Sequence, residues 1–177
     1  ANARVRPDRA MGYSACEAAS AEEARLGRVG VGLGATVGKL RGLHWAMWGG
    51  VGLAVEHVGE VVVGALTVSN ALGGIRDPSS GEWVAGPRLP DGSVADSLEL
   101  LRREPQLPWG TNTTLAVVAT NARLEPEMAT KVAQMGHDGL ARVVYPVHTM
   151  VDGDVIFALS VGQLECPVDV IGALAAE

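Results

Sequence analysis

The segment Asn112-Thr113-Thr114 joins a polar run, which includes Gly110 and Thr111, to an apolar strand. If the chain cleaved itself before Thr113, the new N-terminus would carry a hydroxyl nucleophile and an α-amine base on one residue. The reference pKa of an α-amine is about 7.7–8.0, so part of it is neutral near pH 7. A threonine paired with its own amine is a known activated nucleophile. The alternative is a turn that enters a strand, which this motif taken alone favours.

Other polar residues at the ends of predicted strands could support such a nucleophile. Asn70 ends a Val-rich segment, where a side-chain amide could donate to a developing oxyanion. Asp152 and Asp154 flank Gly153 before another apolar segment, and paired carboxylates could orient the hydroxyl and the α-ammonium of Thr113. Turn residues are the alternative at both places, since Asp-Gly is a common turn signal.

Lys39 is the only lysine in the first 130 residues, and it lies in a neighbourhood of small residues. Because lysine and arginine are not interchangeable, a lone lysine among arginines indicates a selected ammonium group. A surface lysine explains the pattern equally well.

Two cofactor interpretations fail on the residues themselves. Residues 30–35 match the dinucleotide pattern G-x-G-x-x-G/A, but that pattern needs a following helix, and glycines interrupt the next segment. His44, His57, His137 and His148 have no metal-ligand spacing, and ordinary structural roles are expected for them. No metal or organic cofactor is therefore predicted.

Composition narrows the possible partners and location. The 177 residues suit one domain, and the net charge of −6 without a basic patch argues against nucleic acid. The longest apolar run, 61–75, falls short of the about 20 residues that span a bilayer. Cys16 and Cys166 lie far apart, which favours reduced thiols and a cytoplasmic location but leaves one disulfide open.

The pattern along the chain predicts alternating helices and strands around these residues. Helices are expected at 8–25, 125–142 and 168–176, with Met128, Val132, Met135 and Leu140 on one face of the second. Strands are expected at 51–57, 60–69, 114–121 and 154–161, with a hairpin near Gly59. Glycine-rich turns and extended backbone fill 27–52, and a long exposed loop with one helical turn at 95–103 fills 71–111.

Taken together, the segments resemble the DmpA-type L-aminopeptidase/D-esterase family, which includes β-peptidyl aminopeptidases and nylon-oligomer hydrolases. The motifs that carry the resemblance run through most of the chain in order: residues 32–40, Asn70, 112–114 with 117–121, 137–142, 146–149 and 152–154. The Asn-Thr junction looks more like the nylon-oligomer hydrolases, whereas many aminopeptidase members have serine there.

The resemblance implies an α+β fold, a four-layer αββα sandwich similar to N-terminal-nucleophile hydrolases, in one domain over 1–177. It implies self-cleavage into 1–112 and 113–177, which stay together, and a homo-oligomer of the cleaved subunits. It makes Thr113 the nucleophile, places Asn70 in the oxyanion site and Lys39 in the catalytic cleft, and lets Asp152 and Asp154 support Thr113.

The predicted function is hydrolysis of an amide through an acyl-enzyme. The substrate stays open among small peptides, amino-acid amides or esters, β-peptides and ω-amino-acid oligomers. Family members carry a long portion ahead of this chain's first residue, with an active-site tyrosine, so a fragment is expected. A catalytically incompetent fragment or a binding module of the same fold is the alternative. A nucleotide-binding protein is a third idea, and no stabilisation by nucleotide is expected.

Overall fold

The computed structural model describes residues 6–22, 24–107 and 112–177, so Gly110 and Thr111 lie outside the described residues. The helices are α1 Arg9–Glu17, α2 Ser97–Arg103, α3 Pro126–Val143 and α4 Val168–Ala175. The strands are β1 Thr36–Val37, β2 Met47–Trp48, β3 Gly50–Val58, β4 Val61–Ser69, β5 Gly74–Arg76, β6 Trp83–Ala85, β7 Leu115–Ala122, β8 Val144–Tyr145 and β9 Val155–Leu164. Three 3-10 turns lie at Gly30–Gly32, Lys39–Arg41 and Leu43–Trp45.

The main sheet has the strand order β3-β4-β7-β9. Strands β3 and β4 form the predicted hairpin, and Gly59 in its turn has a φ of 59°, a backbone conformation that favours glycine. Strand β7 pairs antiparallel with β4 and parallel with β9. All four predicted strands of this sheet are confirmed.

Helices α3 and α4 cover one face of the main sheet. Val132 and Ile171 are fully buried on these helices. They pack on alternate strand residues that form one core: Val61, Val63, Ala116, Val118, Ala122 and Ile156. Of the residues predicted to share one face of α3, Leu140 is buried, but Met128 is 42% exposed, because it lies in the first turn, before the buried positions begin.

The other face of the main sheet carries large apolar side chains that are partly exposed. Leu53, Leu66, Leu115, Phe157 and Leu159 alternate with the core residues along their strands, and each is at least 37% exposed. The described residues therefore form a helix layer and a sheet, with an apolar face on the side where the predicted sandwich has its second sheet. The α+β class is confirmed.

Two local expectations are wrong. The first helix ends at Glu17 rather than near residue 25, and none of its residues is buried, so no packing supports a longer helix. The predicted loop 71–111 contains β5 and β6, which join β8 in a second sheet, as well as the expected helical turn, now α2. In the described ranges, no helix is both long and apolar enough to cross a membrane.

Candidate active site

The peptide bond between Asn112 and Thr113 is held by hydrogen bonds on both sides. The Thr113 N–H donates to the carbonyl oxygen of Asn70 at 3.1 Å, and the Gly153 N–H donates to the Asn112 carbonyl oxygen at 2.8 Å. The Thr113 hydroxyl also donates to that carbonyl oxygen. Asn112 itself is only 4% exposed, and its side-chain amide donates to Val151 O at 3.1 Å. This bond therefore has a fixed orientation between β4 and the turn before β9.

Gly153 allows the turn before β9 to approach Thr113 closely. A Cβ atom at this position would lie 3.0 Å from Thr113 Oγ1, which is tighter than ordinary van der Waals contact. The sequence contains this glycine between two aspartates, so the same short segment supplies a backbone donor and two carboxylates.

Lys39 is buried and bonded to Asn70. Its Nζ donates to the Asn70 carbonyl oxygen at 2.8 Å and to Asn70 Oδ1 at 3.0 Å. Burial lowers the pKa of Lys39 to about 8, although the charge of Asp152 acts in the opposite direction. Lys39 is thus an amine that is partly neutral near pH 8, next to the residue that binds the Thr113 N–H.

The approach of Lys39 to this site depends on the residue before it. Gly38 has a φ of 70°, and a Cβ there would lie within 2.5 Å of the Gly86 backbone. Glycine is the residue that fits both conditions. The glycine-rich segment thus turns the chain so that Lys39 points into the protein.

The side chain of Asn70 is oriented by the groups that donate to it. Its Oδ1 accepts from Lys39 Nζ and from the Thr36 N–H, the latter at 3.1 Å. The amide nitrogen is therefore the end left for another acceptor, as an oxyanion donor requires.

Asp154 accepts a backbone hydrogen bond beside the Asn112–Thr113 bond, whereas Asp152 accepts one from the segment that follows Asn70. Asp152 accepts from the Leu72 N–H at 3.0 Å and from the Thr149 hydroxyl at 2.5 Å. Asp154 Oδ1 accepts from the Thr114 N–H at 2.6 Å. These bonds differ from the predicted contact with the Thr113 hydroxyl: Asp154 fixes the backbone next to Thr113, and Asp152 fixes the segment after Asn70.

Sequence reasoning missed a pair of histidines at this site. His148 Nδ1 lies 2.9 Å from Asp154 Oδ2, and His148 Nε2 lies 3.2 Å from His137 Nδ1. The two histidines show no metal-ligand spacing, and only the fold brings α3 and the segment before β9 together. The signal that the sequence offered was His148, six residues before Asp154, which directly precedes β9.

A cavity of about 710 Å³ lies on the helix side of the main sheet. Its wall is mainly apolar and includes Ala116, Val118 and Leu140. Thr114, rather than Thr113, reaches this cavity, so the cavity is separate from the hydroxyl of Thr113.

Known proteins share this arrangement of elements. The structure matches that of the L-aminopeptidase D-Ala-esterase/amidase from Ochrobactrum anthropi, described as a variant of the Ntn hydrolase fold, with a TM-score of 0.61 and 19% identity over 94% of this chain and 46% of that one. It matches a Burkholderia sp. beta-aminopeptidase with a TM-score of 0.56 and 24% identity over 94% and 47%. These matches confirm the predicted resemblance to the fold of N-terminal-nucleophile hydrolases.

Curated relatives agree with the fold. An uncharacterized aminopeptidase of Mycobacterium tuberculosis is 40% identical over 172 residues, and a 6-aminohexanoate-oligomer endohydrolase of Kocuria sp. is 31% identical over 168 residues. In each case the match covers 92% of this chain and 47% of the relative, so the chain spans about half the length of these relatives. The model of peptidase family S58 matches residues 2–175. The chain therefore belongs to peptidase family S58.

Proposed function

We propose that this chain carries the self-cleavage site and the nucleophile of an N-terminal-threonine amide hydrolase. The observation that carries the proposal is the convergence of two donors, the Gly153 N–H and the Thr113 hydroxyl, on the carbonyl oxygen of Asn112. A carbonyl that accepts a fixed N–H is already prepared for the negative charge that develops when a nucleophile attacks it.

In maturation, Thr113 Oγ1 attacks the carbonyl carbon of Asn112 while the Gly153 N–H stabilises the oxyanion. The bond from that carbon to the Thr113 nitrogen then breaks, and the hydroxyl proton ends on the nitrogen, which becomes a free amine. Water hydrolyses the resulting ester, so that Asn112 gains a carboxylate and Thr113 regains its hydroxyl.

In this reaction Lys39 and Asn70 serve the departing nitrogen. The Thr113 N–H and Lys39 Nζ both bond to the carbonyl oxygen of Asn70, so the lysine lies beside the atom that must be protonated. Its pKa of about 8 lets it exist in both protonation states near neutral pH, as a proton-transfer group requires.

In turnover, the free amine of Thr113 accepts the hydroxyl proton and the oxygen attacks a substrate amide to form an acyl-enzyme. The amide nitrogen of Asn70 donates to the new oxyanion, Asp154 keeps the backbone beside Thr113 in place, and Asp152 holds the segment that follows Asn70. The substrate class is an amide of a small peptide, an amino acid or an ω-amino-acid oligomer. The names of the relatives, an aminopeptidase and a 6-aminohexanoate-oligomer endohydrolase, support this range.

A catalytically incompetent member of the same fold is the second candidate. The observation that favours it is the partly exposed apolar face of the main sheet. Assembly into a homo-oligomer of cleaved subunits remains a prediction.

Intact-mass spectrometry of the purified chain separates these two candidates. Two species that end at Asn112 and begin at Thr113 support the hydrolase. A single 177-residue species after prolonged incubation contradicts self-processing by this chain and supports the second candidate.

A further inference from the structure

His148 adopts a backbone conformation that its surroundings must hold in place. Its φ is 52°, in the left-handed region that non-glycine residues rarely occupy. In this conformation both its backbone N–H, at 3.3 Å, and its Nδ1, at 2.9 Å, face Asp154 Oδ2. Such a conformation persists where neighbouring contacts determine it, which is common near functional sites.

The contacts of His148 determine where its ring hydrogen lies. The Asp154 side chain is only 2% exposed, and an ionised carboxylate can only accept hydrogen bonds. His148 Nδ1 must therefore carry the hydrogen and donate it. In the neutral ring Nε2 is then an acceptor, so His137 Nδ1–H donates to it across 3.2 Å.

The same carboxylate reaches the nucleophile segment through its other oxygen. Asp154 Oδ1 accepts from the N–H of Thr114, the residue that follows Thr113. Three consecutive hydrogen bonds thus connect the surface of α3 to the backbone beside the nucleophile.

We propose that His148 is a positioning residue that fixes Asp154 against the Thr114 N–H, and that His137 donates to the Nε2 of the His148 tautomer which does so. This inference rests on the proposed function, because the backbone that His148 holds in place lies beside the proposed nucleophile, Thr113. Neither histidine touches the reacting atoms.

The charges around the pair agree with this assignment. Burial and the nearby His148 lower the pKa of His137, while Asp154 and Asp138 act in the opposite direction. A lowered pKa favours the neutral His137 ring, which donates its Nδ1 hydrogen without adding a charge to the pair.

NMR of a Thr113→Ala chain, which cannot cleave itself, tests the inference independently of activity. We expect the ring nitrogens of His148 at pH 8 to show a hydrogen on Nδ1 and none on Nε2. His148→Ala should move the Thr114 amide resonance and raise the pKa of His137. His148→Asn should restore the Thr114 resonance, because its amide can replace Nδ1–H and Asn tolerates the left-handed conformation. The exposed His57→Ala is the matched control and should change neither signal.

With Thr113 present, the rate of self-cleavage gives a second readout. His148→Ala should slow it about tenfold or more, since small displacements of reacting groups cost up to about 100-fold. His148→Asn should recover most of the rate, and His57→Ala should retain all of it.

Either of two results overturns the inference: a His148 ring with hydrogen on Nε2 alone, or a Thr114 amide resonance that does not shift in His148→Ala. Either result leaves the proposed hydrolase intact. Conversely, a wild-type chain that never cleaves refutes self-processing, and the NMR result still decides what His148 does.

Discussion

The N–H of Gly153 lies 2.8 Å from the carbonyl oxygen of Asn112, in the chain that has not been cut. A donor at this distance from a carbonyl is placed where negative charge develops during nucleophilic attack. The donor belongs to the backbone, so it needs no side-chain ordering before the reaction. The donor that the proposed self-cleavage needs is therefore already in place in the uncut chain.

Thr113→Ala should abolish cleavage, because it removes the hydroxyl that attacks the Asn112 carbonyl. Thr113→Ser keeps a hydroxyl at the same position and should still cleave. Intact-mass spectrometry after a common incubation compares them. A Thr113→Ala chain that yields the fragment beginning at residue 113 would refute the assigned nucleophile.

Gly153→Ala should slow cleavage by at least about tenfold, because the added Cβ would lie 3.0 Å from Thr113 Oγ1 and displace it. Gly64→Ala is the matched control, since a Cβ there meets no atom closer than 3.9 Å. The rate of appearance of the two fragments is the measurement. Equal rates for both variants would show that the close approach of Gly153 has no role.

Lys39 should make the stability of the chain depend on pH above neutrality. Below pH 8, Lys39 is protonated in both the folded and the unfolded state, and the cost of burying its charge is fully present. Between its folded pKa of about 8 and the unfolded value of about 10.4, the unfolded state binds more protons, so stability rises with pH.

The corresponding comparison is denaturant unfolding in the uncleavable Thr113→Ala background. From pH 7 to pH 10, the parent should gain about 2 kcal/mol relative to Lys39→Met. Lys131→Met removes the other lysine, which is exposed on α3, and should keep the parent's pH dependence. A Lys39→Met chain with the same slope as the parent would show that this amine is not perturbed.

Ile171→Ala should lower the free energy of unfolding by about 2–5 kcal/mol, because Ile171 is fully buried between α4 and the main sheet. Leu33→Ala, at a residue 61% exposed, should change it by no more than about 0.5 kcal/mol. Urea unfolding measures both. Equal effects would contradict the packing of α4 on the sheet.

Local patterns predicted the main sheet and its helices well. The Val-rich runs and Pro126 gave β3, β4, β7 and α3 nearly at their observed bounds, because alternation and helix start signals are local properties of the chain. Strand β5, of three residues, is too short to give a clear alternation, and its partner β8 comes from a distant part of the chain, a pairing that no local signal specifies.

In the candidate site, too, local features could be predicted from the sequence and long-range contacts could not. Residues with distinctive chemistry, such as Thr113 and Lys39, could be singled out from their types and from the resemblance to a family. The backbone donor at Gly153 and the link from His137 through His148 could not, because they depend on segments that meet only after folding.

The antiparallel pairing of β4 with β7 has a consequence for folding itself. The Asn112–Thr113 bond lies between these two strands in sequence, and six residue pairs from Val63↔Thr120 to Val68↔Leu115 join them in space. In the uncut chain, the pairing of β4 with β7 is unimolecular, so its rate does not depend on protein concentration. After the cut, the same sheet is an interface between two chains, and its reassembly becomes bimolecular and dependent on dilution. A molecule that cut this bond after folding would therefore have to refold by association of two separate chains.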